Sequence, residues 1–219
     1  MTSVAIGTTR GLERLIFFTD AVAAIAITLL VLPLIDPVAE AAERHGSAGQ
    51  FLADNAAQLL SFGISFAVIA RLWIVHHGIF EHVVAYSRVL VFLSLFWAFT
   101  LVVLPLPTSI TAEFDPSPFT VGLYIGVMAL NSLTLTLIVI HIYQHPIVES
   151  KEFPMKSRMR RMSIATTALF ALAWLLGVFV PTVGYWALLV LFLIGPINHV
   201  LGRREAAGAA SSGPTSSEP

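Results

Sequence analysis

Apolar residues along this chain fall into blocks of roughly 20, about the length a helix needs to cross a bilayer's hydrocarbon core. The first block runs from about Leu15 to Ile35 and stops at Asp36-Pro37. The second runs from about Leu52 to Val75 and ends at His76-His77, and the third from about Val89 to Leu106, closing in Pro105-Leu-Pro107. The fourth covers about Phe119 to Tyr143, the fifth about Ile164 to Val180, and the sixth about Gly184 to Val200, with Pro181 marking a tight turn between the last two. Polar or proline-containing segments separate them: Glu40 to Gly49, Glu113 to Pro118, and the basic stretch Glu149 to Arg161. The pattern predicts an all-α integral membrane bundle of six transmembrane helices over residues 1–202. A tail, 203–219, rich in Ala, Gly, Ser and Pro, is predicted to be disordered.

Composition supports that reading. Hydrophobic residues make up 57% of the chain and charged residues 11%, against about 25% charged in a soluble domain. So few charges cannot cover the surface of a soluble fold of 219 residues. The net charge of −1 gives no electrostatic footprint for nucleic acid. The absence of cysteine excludes disulfides, thiolate metal sites and cysteine nucleophiles. Arg10 and Arg14 ahead of an apolar run imitate a signal peptide. Asp20 inside that run, and its extension to Leu34, predict a retained first helix instead.

Lys and Arg positions set the expected topology. With the N-terminus in the cytoplasm, Arg44 is the one basic residue of the 12 in an outer loop. Both termini are therefore expected on the inner side.

Ionisable residues at membrane depth are costly and mark function or interhelical pairing. Asp20 is the clearest case. Arg14 precedes it by six residues, about 120° around a helix, so the two should not pair directly. Arg71, His76 and His77 lie at matching depth, and an interhelical cluster with Arg14 and Asp20 is the economical expectation. A second pattern on the first helix places Ile25, Leu29 and Leu32 within about 60° of one face, with Thr28 beside them and Asp36 at the outer end. Such a stripe ordinarily faces the core or lipid. Its functional reading is a pore lining, in which stacked aliphatic rings gate by dewetting and a carboxylate ring concentrates cations. Asn131, Ser132, Thr134 and Thr136 are expected to hydrogen-bond between helices. His76, His77, Glu81 and His82 invite a metalloenzyme reading, but no HExxH arrangement or third-ligand spacing supports it. No hydrolase, nucleotide or dinucleotide motif occurs.

The same residues carry a family resemblance. Arg14-Leu-Ile-Phe-Phe18-Thr19-Asp20 resembles the Arg-x-x-x-Phe-Ser-Asp signature that opens the first helix of the transmembrane protein 175 family of potassium channels. Ala24 to Leu32 is similar to the rest of that helix. Ser65-Phe66, Trp73 and His76-His77 followed by Phe80 resemble its second motif, and Arg88 to Thr108 its third helix. Close resemblance spans about residues 10–110. Thr19 departs from the usual serine but keeps the hydroxyl.

The resemblance implies a homotetrameric, potassium-permeable channel of a prokaryotic inner membrane, not an enzyme, with no cofactor beyond the permeant ion. It implies a pore lined by the first helix, constricted at Ile25, Leu29 and Leu32, with Thr28 contributing to potassium preference. Arg14, Asp20, Trp73 and His77 would form a supporting network. No TVGYG-like carbonyl filter is expected, and none occurs. Asp36 would attract cations at the outer mouth. The rival from another class is a proton-coupled secondary transporter using Asp20 and the histidines, although no broken-helix pair or internal repeat is legible.

Overall fold

The computed structural model describes residues 8–43, 47–180 and 182–195, with only the backbone described at 36, 37, 40, 41, 57 and 112. Among these residues eight α-helices follow in order: α1 (Thr9–Leu29), α2 (Leu32–Glu43), α3 (Ala48–Asp54), α4 (Ala56–Phe80), α5 (Arg88–Val103), α6 (Pro105–Glu113), α7 (Pro118–Gln144) and α8 (Ser157–Phe179). A 3-10 helix, Gly184–Leu193, comes last. Among the described residues five helical stretches are long and apolar enough to cross a membrane: Thr9–Ile35, Gln58–Phe80, Arg88–Thr111, Pro118–Gln144 and Ser157–Phe179. They correspond to the first five expected blocks. The expected sixth span is described only over the short 3-10 helix. Pro181, residues 196–202 and the 203–219 tail lie outside the described residues.

Three corrections to the expected boundaries have local causes. The supposed outer loop after Asp36 is helical to Glu43, because residues 38–43 are dominated by helix formers such as Ala39, Ala42 and Glu43. The second span starts after Asn55, where the side-chain amide donates to Phe51 O at 2.8 Å and closes the preceding turn. The first and third blocks are each interrupted within their outer half. Pro33 has no N–H for the carbonyl of Leu29, and its ring crowds that carbonyl, so the helix breaks at Leu30-Val31. Pro105 does the same to Leu101, and the break falls at Leu104. At the first break, Val31 N donates to Thr28 O at 3.3 Å and Leu34 N to Val31 O at 3.0 Å, a local tightening from α to three-residue turns.

The most buried helix, α7, packs on α5, α6, α8 and the 3-10 helix. Its capping box, built by Ser117 and Thr120, starts it sharply after the acidic loop. Close approach to α8 depends on Gly177. A Cβ there would meet Val121 Cγ1 at 2.8 Å, Ile125 Cδ1 at 3.1 Å and the Gly184 carbonyl at 3.2 Å. Gly177→Ala is therefore expected to lower stability by about 1–3 kcal/mol through overpacking. A thermal melt in detergent that is unchanged from the parent would refute this.

At one end of the bundle the α4–α5 turn and the α7–α8 connection are joined. Val84 N donates to Val148 O at 3.0 Å, and Ser150 N to His82 O at 2.8 Å. The start of α1 sits there too, since Gly11 lies against the Tyr86 ring with no room for a side chain. This end carries Arg10, Arg14, Arg88 and the basic stretch from Lys151 to Arg161. Several segments expected on one side of the membrane thus meet at one end of the bundle, while Arg44, Arg203 and Arg204 lie outside the described residues.

Candidate pore helix and its polar network

The inward face of α1 consists of Leu12, Leu15, Thr19, Ala23 and Ala26, continued by Leu30, all buried. These positions recur every three or four residues, the stripe an α-helix buries. Ala23 and Ala26 let the backbone approach α4 and α5 closely. Thr19 turns its hydroxyl onto its own helix, donating to Ile16 O at 2.9 Å and Leu15 O at 3.2 Å. The hydroxyl that replaces serine is therefore satisfied without reaching another helix.

The opposite face is apolar and uncovered. Phe17, Phe18, Ile25 and Leu29 are exposed, with Ile25 at 56%. Thr28 lies among them, exposed, and its hydroxyl donates to Ile25 O at 2.8 Å. With the proton so committed, the hydroxyl oxygen retains its acceptor lone pairs. Of the expected stripe, Ile25 and Leu29 lie exposed on α1. Leu32, also exposed, and Asp36 belong to α2, beyond the break at Leu30-Val31. The Asp36 side chain lies outside the described residues.

The polar network forms in part. Asp20 Oδ1 accepts from Trp73 Nε1 at 2.8 Å, tying α1 to α4. The Trp73 and His77 rings follow at 5.3 Å, and His77 Nε2 lies 4.0 Å from Glu81 Oε1. Both of the latter side chains are half exposed or more, so that pair contributes little to stability. Arg14 is exposed and makes no hydrogen bond or ion pair among the described residues. The five-membered cluster expected from depth alone does not assemble. Arg71 points outward, and His76 turns to the other side of α4. Trp73→Phe keeps the ring and removes only the N–H. It is expected to cost about 1–3 kcal/mol, the range for a hydrogen bond to a carboxyl left without its donor. An unshifted melting temperature in detergent would show that Asp20 does not depend on it.

His76 is fully buried. Its ring stacks on Trp97 at 3.8 Å and 9° and packs against Phe80 at 4.5 Å. Neither ring nitrogen has a hydrogen-bond partner among the described residues. Trp97 Nε1 donates to Asn131 Oδ1 at 3.2 Å, Asn131 Nδ2 donates to Thr100 Oγ1 at 2.7 Å, and Thr100 returns to Trp97 O at 2.7 Å. This buried junction of α4, α5 and α7 was not legible as a unit, because its members lie in three separate blocks. Only the amide in an apolar run signalled it. Thr136 reaches Ser163 and Thr167 of α8, and Ser132 also reaches Thr167, the interhelical bonding expected of these residues. Thr134 instead bonds its own helix, at Leu130 O. Of the four groups of the metal reading, His77 and Glu81 lie together, but His76 stacks on Trp97 and His82 Nδ1 bonds Phe153 O at 2.8 Å. Among the described residues no set of three potential ligands converges.

Residues 14–105 match the family model described as "Endosomal/lysosomal potassium channel TMEM175". The match covers 92 of the chain's 219 residues. The matched stretch runs from Arg14 within α1 through α5 to Pro105, so it includes the exposed aliphatic face, the broken helix and the Asp20–Trp73 bond. A potassium channel of Streptomyces collinus is 35% identical over 97 residues, 44% of this chain and 46% of the relative. The endosomal/lysosomal proton channel TMEM175 of Gallus gallus is 34% identical over 107 residues, 47% of this chain and 21% of the relative. The chain thus spans under half the length of either curated relative it matches. The likeness of fold extends further. A crystal structure of a lysosomal potassium-selective channel TMEM175 homolog from Chamaesiphon minutus superposes with TM-score 0.67, covering 87% of this chain and 97% of that one at 23% identity. A variant of the potassium channel MtTMEM175, crystallised with a nanobody fusion, gives 0.53 over 94% and 98% at 20% identity. α7 and α8, outside the family segment, therefore belong to a TMEM175 fold as well.

Proposed function

We propose that this chain is the subunit of a potassium-permeable channel that conducts passively, with α1 of each copy lining the pore. The observation that carries this is the uncovered face of α1. Bulky aliphatic side chains lie opposite a face that is packed by small residues and braced by the Asp20–Trp73 bond. In lipid an isolated apolar face needs no explanation. On a helix in a family named for potassium channels, with a cation-ready hydroxyl among the aliphatic groups, a pore lining accounts for all three features.

Four copies would place rings of Ile25, Leu29 and Leu32 around one axis. Aliphatic rings cannot replace a hydration shell, so they close the pore by dewetting, and opening widens or rotates them. Thr28 offers hydroxyl oxygens to a partly dehydrated cation. Asp36 would raise the cation concentration at the outer mouth. The break at Leu30-Val31 supplies a hinge between the upper and lower parts of this lining. The chain is read as a multi-pass protein of a prokaryotic inner membrane that needs no cofactor, working as a homotetramer.

Purified protein in liposomes is the test. Potassium flux should exceed sodium flux, should not saturate with a co-substrate and should not require a proton gradient. A relative named as a proton channel makes proton flux the second quantity to measure. Flux that occurs only with a proton gradient would replace the channel by the proton-coupled transporter.

A further inference from the structure

The face of α4 turned away from the bundle carries Leu60, Ile64, Ala67, Arg71 and Ile74, all exposed. Their spacing of four, three, four and three is that of a seam where one helix packs on another. Arg71 is the one charge in it. Trp73, two residues on, points about 160° away and holds α1. Phe80, nine residues on, ends the span, which places Arg71 about 14 Å inside that boundary. The hydrocarbon core is about 30 Å thick, so the guanidinium cannot reach either aqueous surface by extending along the helix. Among the described residues it makes no hydrogen bond or ion pair. A guanidinium facing lipid near the bilayer centre is strongly disfavoured, and one facing the pore would repel the permeant cation.

One group at the right depth complements it. Within the described spans the acidic side chains are Glu13, in the first turns of α1, and Asp20. Asp20 sits on the level of Trp73, within about one turn of Arg71 along the membrane normal. Its Oδ1 takes the tryptophan N–H, while Oδ2 has no partner among the described residues. It also lies at the flank of the exposed face of α1, next to exposed Ala24 and Phe17.

We propose that the outward face of α4 is a contact surface for a second copy of the chain, and that Arg71 there pairs with Asp20 of the partner subunit. The inference rests on the oligomeric reading above. Different surfaces meet in this contact, α4 of one copy and α1 of the next, so it is head-to-tail, the kind of contact from which a closed ring is built when the rotation between copies closes. Each carboxylate then accepts from Trp73 within its own chain and from a guanidinium of its neighbour. The pore helix is held from two sides.

The absence of cysteine makes the test free of background. Asp20→Cys and Arg71→Cys chains are co-expressed, purified, and treated with a bifunctional maleimide of about one side-chain pair's reach. Cross-linked dimers are expected from the mixed assembly and from neither variant alone. Ala24→Cys, one turn along the same flank of α1, replaces Asp20→Cys if the latter does not assemble. Light scattering on the untreated parent reads the particle mass. A tetramer whose mixed variants do not cross-link overturns this contact and leaves the channel reading standing. A monomer overturns the oligomeric reading itself. Arg71→Gln should lower the tetramer fraction at least tenfold on dilution in detergent, and an unchanged fraction would also overturn the pairing.

Discussion

Sodium flux through Ile25→Asn is expected to rise about tenfold relative to potassium flux, with total flux also increased. Ile25 is 56% exposed on the side of α1 that no other part of the chain covers among the described residues. If that side lines the pore, the native ring presents only methyl and methylene groups, and water leaves the constriction readily. An asparagine ring offers amide oxygens that keep water in place and substitute for part of an ion's shell. A barrier lowered by about 1.4 kcal/mol changes a rate tenfold. The smaller shell-stripping difference between the two ions then weakens discrimination. The measurement is paired potassium and sodium flux from liposomes holding equal amounts of parent and variant protein. Unchanged flux and unchanged ratio in a well-folded variant would place Ile25 against lipid rather than in the permeation path, and the pore assignment of α1 would fall with it.

Trp97→Ala should be the most damaging single change for stability, at about 3–5 kcal/mol, the range for deleting a large buried aromatic ring. The indole is fully buried and holds three helices at one point. It stacks on His76 of α4 at 3.8 Å, belongs to α5, and donates to Asn131 of α7 at 3.2 Å. Removing it opens a cavity and leaves the Asn131 carbonyl oxygen without its donor. Trp97→Phe retains most of the stack and loses the N–H, and it should cost only about 1–3 kcal/mol. Thermal loss of the assembled species in detergent separates the two variants. Equal melting temperatures for parent and Trp97→Ala would show that the junction contributes nothing to the fold. A loss as large in Trp97→Phe as in Trp97→Ala would assign the effect to the hydrogen bond rather than to packing.

How much of this was legible beforehand varies by residue. Asp20 was conspicuous because a carboxyl in an apolar run is costly, and its need for a partner on another helix followed from the helical phase of Arg14. Which partner it takes did not follow. Depth admitted Arg71, His76 and His77 equally, whereas the fold brings Trp73 to it. A two-residue difference along α4 turns a side chain to the far side, so Arg71 and Trp73 at nearly one depth face opposite ways. The two adjacent histidines read alike, yet one is fully buried against Trp97 and the other is half exposed beside Glu81. The Leu32 position was read on the phase of a continuous helix, and Pro33 interrupts that helix one turn earlier than the apolar block ends.

The membrane setting, the helical class and the placement of the first five spans follow from the order and composition of the chain. They depend on local quantities: the transfer free energy of each segment of roughly 20 residues and the need to satisfy its backbone within itself. The end of the bundle that carries the basic residues follows in the same way. The breaks that convert the first and third blocks into helix pairs are local as well, set by Pro33 and Pro105. Partner choice within the bundle and the face of α1 left without cover were decided only in three dimensions. Lipid is as apolar as the side chains, so hydropathy does not distinguish a face that packs from one that does not. Close packing of small residues such as Ala23, Ala26 and Gly177, and a few directional hydrogen bonds, make that choice.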